Sequence, residues 1–130
     1  MGEIDWKKLE GGSDVRGEMY QMLHSGTECI VYEIKKGQAR GGDSHVSIQY
    51  DTIIKGVIDY RRMQDEKTEI KKHLVAPQFI VSPAGKPHIF IALEDSLILE
   101  WTGLGKFQKE LYAPYREIIE ARKKGQVIKK

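Results

Sequence analysis

Two short segments, roughly forty residues apart, carry the side chains best suited to chemistry. The first contains Asp43, His45 and Gln49, and the second ends at His88. Imidazole and carboxylate groups bind divalent transition metals, and imidazole also transfers protons near neutral pH. If both segments reach one cavity, these side chains predict either a metal site or an acid–base site.

The first segment joins a glycine-rich turn to an alternating apolar strand. Gly41 and Gly42 precede that strand, and glycine permits the tight backbone needed to present the polar groups that follow. Alternate side chains of a strand share one face of the sheet. A strand over residues 45–54 is therefore expected to point His45 and Gln49 in the same direction.

Short strands between Gly, Pro and Asp residues dominate the remaining pattern. Predicted strands cover residues 28–35, 45–54, 57–61, 69–75, 78–81, 88–93 and 96–101. The last two are expected to form a hairpin that turns at Glu94 and Asp95. So many strands, with almost no helix between them, indicate an antiparallel barrel or jelly roll and exclude a parallel α/β fold.

A helix is predicted only by the residue pattern near the C-terminal end of the sequence. Pro114 suits a first helical position, and Gly125 suits the residue after the last helical turn. A stripe lies between them at helical spacing: Tyr115, Ile118, Ile119 and Arg122. We expect a β-barrel domain over residues 1–105, and a C-terminal helix and tail over residues 106–130 that pack on the barrel or extend from it.

Composition and charge narrow the functional class. The 130-residue chain is 40% hydrophobic and 31% charged, which is typical of one soluble globular domain. A formal net charge of +2 does not favour nucleic acid, and the apolar runs are too short to span a membrane. Cys29 is the only cysteine, so no intramolecular disulfide can form, which predicts a cytoplasmic location.

The spacing of the two segments resembles the two motifs of the cupin superfamily. The first segment keeps the intervals of the first motif: Gly37, five residues, Asp43-x-His45, three residues, Gln49, six residues, Gly56. The second segment matches the second motif: Pro83-x-Gly85-x-x-His88. The resemblance implies an all-β fold, namely an antiparallel double-stranded β-helix (the jelly-roll or cupin barrel) with a small-molecule ligand in its cavity. The predicted C-terminal helix would follow this barrel.

The resemblance also implies a metal site, with two departures from the usual ligands. Cupin metals usually lie on three histidines and one glutamate, and the matching positions here are Asp43, His45, Gln49 and His88. The carboxylate and two histidines would suit Fe, Mn, Zn or Ni. The neutral Gln49 is a weak ligand and is expected to hydrogen-bond a substrate or a metal-bound water. The alternative is a cupin without a metal, which uses the cavity for acid–base work or for binding.

A narrower resemblance concerns cupins that act on nucleotide-linked sugars, such as dTDP-sugar ketoisomerases and relatives of the dehydrorhamnose epimerases. It is carried by Asp14-Val-Arg16-Gly17, by Arg40-Gly41-Gly42, and by Gln49 in place of glutamate. It implies an isomerase or epimerase that acts on a nucleotide-linked or phosphorylated sugar. Arg16 and Arg40 would then bind phosphate or a sugar hydroxyl.

Sugar chemistry of this kind needs proton transfer beside a keto group, with a base near neutral pKa and a second group that protonates the enolate. His45 or His88 would be the base, with Asp43 fixing the tautomer of its neighbour. Tyr32 or Tyr60, on adjacent predicted strands, would be the acid and would contact the substrate.

Two other functions stay open beside the isomerase or epimerase. One is a metal-dependent, oxygenase-like cupin that uses Asp43, His45 and His88. The other is a binding or sensor module whose cavity performs no reaction. Small cupins that resemble this chain commonly pair through strands and sheet faces, so the resemblance also implies a homodimer.

Overall fold

Two antiparallel sheets face each other in the computed structural model, which describes residues 5–9, 12–24, 27–102 and 109–125. The strands are β1 (Asp5–Lys8), β2 (Met19–His24), β3 (Thr27–Ile34), β4 (Ala39–His45), β5 (Gln49–Lys55), β6 (Val57–Met63), β7 (Glu69–Val75), β8 (Gln78–Ser82), β9 (His88–Ala92), β10 (Ser96–Thr102) and β11 (Lys109–Leu111). One helix, α1 (Ala113–Lys123), follows them.

The strand order defines a jelly roll. One sheet runs β1-β2-β3-β10-β5-β8 and the other runs β11-β4-β9-β6-β7. From β3 onward the chain alternates between the two sheets, except that β6 and β7 are neighbours in one of them. The expectation of an all-β jelly roll with a C-terminal helix is confirmed.

The prediction of a hairpin that turns at Glu94 and Asp95 is wrong. Strand β9 pairs with β4 and β6, whereas β10 pairs with β3 and β5, so residues 93–95 cross from one sheet to the other. The crossing is held by Asp95, whose Oδ1 accepts a hydrogen bond of 2.8 Å from the backbone nitrogen of Lys36. A two-residue turn signal between apolar strands does not distinguish a hairpin from a crossing between sheets.

The prediction of a single strand over residues 45–54 is also wrong, because these residues belong to two strands that lie in different sheets. Strand β4 ends at His45 and β5 begins at Gln49. Val46 and Ile48 in the connection are 59% and 43% exposed, so the apolar alternation there buries nothing. His45 and Gln49 therefore enter the interior from opposite sheets.

The buried side chains form two layers. The first lies between the sheets and consists of Tyr32, Ile34, Ile53, Ile58, Tyr60, Leu74, Ile80, Phe90, Ala92 and Ile98. The second lies between the β4–β9 side of the barrel and helix α1 and consists of Ala39, Ile89, Ile91, Tyr115, Ile118 and Ile119. All five residues of β9 are buried, because one face of that strand meets the barrel interior and the other meets the helix.

The C-terminal segment packs on the barrel. Strand β11 pairs with β4, and α1 covers the outer face of β4 and β9. The predicted boundary between residues 105 and 106 lies outside the described residues. In the part of the chain that the structure describes, no helix is long and apolar enough to cross a bilayer. The cytoplasmic location and the homodimer stay predictions.

Candidate functional site

A β-bulge in β4 aims the candidate ligands into the barrel. Arg40 lies opposite Phe90 and Gly41 opposite Ile89, but the register then shifts so that Asp43, rather than residue 42, lies opposite His88. Gly41 and Gly42 adopt φ angles of +102° and +76°, which other residues rarely adopt. The extra residue turns Asp43 inward, whereas an unbroken alternation from Arg40 would have turned it towards the helix.

Three side chains converge where β4 and β9 lie side by side. Asp43, His45 and His88 each offer one ligand atom, and these atoms all lie within 4.8 Å of one another. Nε2 of His45 is 3.2 Å from Oδ1 of Asp43, and the centroids of the two imidazole rings are 5.8 Å apart. Three of the four side chains that the sequence singled out are thus brought together.

Burial and hydrogen bonding set the charge of this cluster. The hydrogen bond to Asp43 raises the pKa of His45 against the opposing effect of burial. Burial alone would raise the pKa of Asp43, but the hydrogen bond and charge of His45 outweigh it, so that pKa is lowered. Burial lowers the pKa of His88 to about 4, so this imidazole is neutral at pH 7. Its Nδ1 lies 3.2 Å from the carbonyl oxygen of Lys86, which leaves Nε2 for a ligand.

A cavity of about 490 Å³ opens beside the cluster and is lined from both sheets. Its volume suits a small molecule. Among the described residues, four cationic side chains line it, namely Arg16, Arg40, Lys109 and Arg116, together with the carboxyl groups of Asp43 and Glu100. The balance of charge around the cavity favours an anionic ligand.

Arg40 and Arg16 occupy one wall of the cavity, as the sequence suggested. Arg40 is only 3% exposed; its Nε donates to the carbonyl of Glu33 and its Nη2 to the carbonyl of Gly17, at 2.8 and 2.9 Å. Its Nη1 is buried and has no hydrogen-bond partner among the described residues. Arg16 forms an ion pair of 2.8 Å with Asp14. The buried, unpartnered Nη1 is a donor that a bound anion could satisfy.

Gln49 lines the cavity but turns towards a different cluster. Its Nε2 donates to Oδ2 of Asp51 at 2.8 Å and to Oε1 of Glu100 at 3.0 Å. Its Oε1 is buried, and no residue in the described part of the chain forms a hydrogen bond with it. Gln49 therefore bridges two carboxyl groups, and the candidate ligand set consists of Asp43, His45 and His88.

Sequence reasoning missed Asp51 and Glu100 as site residues. Asp51 is fully buried, and its Oδ1 accepts a hydrogen bond of 3.2 Å from the hydroxyl of Tyr32. Tyr32 lines the cavity, but this hydroxyl is engaged, and burial raises its pKa well above the usual range. A usable signal existed for Glu100, because alternation in the predicted strand places it on the same face as the apolar Ile98.

Tyr60 is not brought to the cavity. It is fully buried in the layer between the sheets, where its hydroxyl lies 2.8 Å from Oγ of Ser82. Its ring packs against Phe90 with centroids 5.2 Å apart. The structure thus places Tyr60 in the core rather than beside the other predicted substrate-binding residues.

Replacing Tyr60 by Phe tests this placement. The change removes one buried hydrogen bond, so the free energy of unfolding should fall by about 1 kcal/mol. Affinity for any ligand or metal in the cavity should stay unchanged. Urea denaturation and metal titration of the same preparation measure the two quantities. If the variant lost affinity for metal or ligand but kept its free energy of unfolding, Tyr60 would be a binding residue rather than a core residue.

The fold is similar to solved cupin structures. CapF from Staphylococcus aureus, a capsular polysaccharide assembling protein, has a TM-score of 0.69 at 13% identity over 83% of this chain and 32% of that chain. Oxalate decarboxylase from Bacillus subtilis has a TM-score of 0.68 at 16% identity over 80% and 29%. KdgF from Halomonas sp. has a TM-score of 0.55 at 21% identity over 74% and 82%.

These likenesses confirm the cupin fold that the two motifs indicated. The chain spans about a third of the length of CapF. No protein-family model matches the chain, and no curated protein does. The protein is a cupin-fold jelly roll whose interior holds one carboxylate and two histidines beside a cationic cavity.

Proposed function

We propose that this protein is a cupin that binds a divalent transition metal through Asp43, His45 and His88 and holds a small anionic ligand beside it. The convergence of these three ligand atoms within 4.8 Å, at the wall of the cavity, carries the proposal. Two imidazoles and one carboxylate form a donor set that suits iron and related metals. A metal held there would polarise an oxygen atom of the ligand as a Lewis acid.

The chain's own side chains support this role. The carbonyl of Lys86 orients His88, and the low pKa of His88 keeps its imidazole neutral, as a metal ligand must be. Lys109, whose Nζ lies 3.9 Å from Oδ2 of Asp43, adds positive charge at the same wall. Arg40 supplies the buried donor for the ligand's anionic group.

Equilibrium titration with Mn²⁺, Co²⁺ and Zn²⁺ tests the proposal. One equivalent of metal should bind to the chelator-treated protein and raise its melting temperature. Asp43→Asn preserves the shape of the side chain but removes its charge, so it should weaken binding by at least about 10-fold, the smaller loss seen when only a supporting group of a metal site is removed. The absence of saturable binding by any of the three metals would contradict the proposal.

A second candidate function is acid–base isomerisation or epimerisation of a nucleotide-linked or phosphorylated sugar. It is favoured by the His45–Asp43 pair, in which Nε2 of His45 contacts the carboxylate while its Nδ1 is buried and has no partner within the residues that the structure describes. An imidazole oriented by a carboxylate is a common general base. Arg16 and Arg40 would take the phosphate.

Binding of a panel of dTDP-sugars and sugar phosphates to the metal-free protein tests this candidate. Micromolar affinity that falls in Arg40→Ala would support it. Since Arg40 also holds the backbone of Glu33 and Gly17, Arg40→Lys serves as the milder variant. No affinity across the panel would remove the sugar assignment and leave the metal proposal standing.

A further inference from the structure

A pair of carboxyl groups lies in the part of one sheet that β3, β10 and β5 form, and one of the pair, Glu100, lines the cavity. Asp51 on β5 and Glu100 on β10 are direct cross-strand partners in the antiparallel register. Nε2 of Gln49 donates to one oxygen of each, at 2.8 and 3.0 Å, and the hydroxyl of Tyr32 donates to Asp51 at 3.2 Å. The described polar contacts of Asp51 are thus all to uncharged donors or to Glu100.

Two carboxylates in this position cannot both be charged at neutral pH. Like charges that face each other across a strand pair repel, and burial removes the water that would screen them. No arginine or lysine is hydrogen-bonded to either carboxyl among the residues that the structure describes. Burial is the main cause that raises both pKa values, and for Asp51 the charge of Glu100 is the next.

The two carboxyls differ in what they face. Asp51 is fully buried, whereas Glu100 is partly exposed and lines the cavity. Nε2 of Gln49 holds one oxygen of each, so the two carboxyls lie close enough to share one proton. Because Asp51 is the more deeply buried of the two, its ionised form is the more costly, and Glu100 is the member that can reach a bound molecule.

We propose that Asp51 keeps its proton at neutral pH, donates it in a hydrogen bond to Glu100, and so makes Glu100 a proton-transfer group of the cavity. When Glu100 accepts, a bond from hydrogen to the bound molecule breaks, an O–H bond forms on Glu100, and the electron pair stays on the molecule. When Glu100 donates, the same steps reverse. The pair then alternates between one negative charge and none, and it never carries two.

The charged and titratable groups that act on Glu100 come from three strands. They are Tyr32 on β3, Asp43 and His45 on β4, and Asp51 on β5. The charge of His45 favours the carboxylate of Glu100, and that of Asp43 opposes it. Burial outweighs both and raises the pKa of Glu100 to about 7, where an acid–base group is most effective.

This inference rests on the proposed function only in taking the cavity as the place where a ligand binds. Its test needs neither metal nor ligand, because the side-chain carboxyl carbons of ¹³C-labelled, chelator-treated protein can be titrated by NMR. In the wild-type protein, Glu100 should titrate near neutrality, and Asp51 should show no titration between about pH 5 and pH 8. Glu100→Gln assigns the first signal by removing it, and Glu94→Gln, which removes an exposed carboxyl, is the matched control.

Asp51→Asn decides between a protonated and a charged Asp51. An asparagine amide is neutral and donates a hydrogen bond, as the protonated acid does, so the midpoint of Glu100 should move by less than about half a pH unit. If Asp51 is charged, its replacement removes a repelling charge, and the midpoint should fall by more than about one unit.

Such a fall, or a wild-type Glu100 that titrates with the exposed carboxyls, would overturn the proposal. Neither outcome depends on whether a metal binds. Conversely, a failure of metal binding would leave the NMR result untouched. The two proposals can therefore fail separately.

Discussion

Replacing His88 by Ala is expected to weaken divalent-metal binding by about 100-fold or more, which is at least the loss seen when only a supporting group of a metal site is removed. The change leaves one imidazole and one carboxylate from the set of three. The metal would then keep two protein ligands, Asp43 and His45, both on β4, and would lose the ligand that β9 supplies. Calorimetric titration with Zn²⁺ or Mn²⁺ at a fixed pH measures the change.

The matched control is His73→Ala. His73 is exposed on β7, outside the cavity, so this variant should bind metal as the wild type does. A stability readout complements the titration: metal at 100 times its dissociation constant stabilises a folded protein by about 2.7 kcal/mol. At the same metal concentration, that increment should be retained in His73→Ala and should fall to about 0.4 kcal/mol or less in His88→Ala. Because it compares each variant with and without metal, it does not depend on the void that His88→Ala leaves. Equal behaviour of the two variants would exclude His88 as a ligand.

Replacing Glu100 by Gln is expected to remove a pH dependence of stability. The pKa of Glu100 is raised from an ordinary 4.5 to about 7 in the folded protein, chiefly by burial. The folded state therefore binds this proton more tightly than the unfolded state. The contribution of the group to stability is fully present below about pH 4.5 and is lost as the pH rises through about 7.

The size of the effect follows from the shift. A difference of one pKa unit corresponds to about 1.4 kcal/mol, so the wild type should lose up to about 3 kcal/mol of unfolding free energy over this range through Glu100. The amide of the Glu100→Gln variant does not titrate, so the difference in stability between variant and wild type should grow in favour of the variant from pH 5 to pH 8. Urea denaturation at both pH values measures it, with Glu94→Gln as the control whose curve should parallel the wild type. A Glu100→Gln curve that also runs parallel would mean that Glu100 titrates normally.

The architecture was predictable because the motif intervals are set by turns. Gly56 illustrates this: its φ is +102°, and a Cβ there would lie 2.1 Å from Oγ of Ser96 and 2.7 Å from the carbonyl of Asp95. Only glycine fits such an approach without displacement. A residue with that constraint can be recognised from its spacing, and it marks the turn between the strands on either side, β5 and β6.

The sheet to which each strand belongs was not predictable in the same way. Partner choice depends on residues far away in the chain, as for β10, which lies between β3 and β5. The local pattern at Glu94 and Asp95 is the same for a hairpin and for a crossing. The β-bulge at Gly41 and Gly42 shows the same limit, because its effect on Asp43 depends on pairing with β9.

The residues of the candidate site that occupy motif positions were predicted from the sequence, and those that lie outside both motifs were missed. Asp43, His45 and His88 meet because their motif positions lie on neighbouring strands. Glu100 lies outside both motifs, and a glutamate on a strand is usually solvated. Alternation from Ile98 indicates that its side chain points inward, but its pairing with Asp51 follows only from the register between two distant strands.

Strand β9 is buried on both faces, and this has a consequence for how the site can vary. His88 belongs to a strand clamped between the barrel interior and helix α1, so its backbone is among the least free to shift. The opposite wall draws Arg16 from a turn held by Asp14 and Gly17 at the margin of the barrel. The part of the site on β9 is therefore more tightly packed than the part on the turn that carries Arg16. Substitutions in the turn of Asp14 and Gly17 can therefore change the shape of the cavity while the ligand atom of His88 keeps its position.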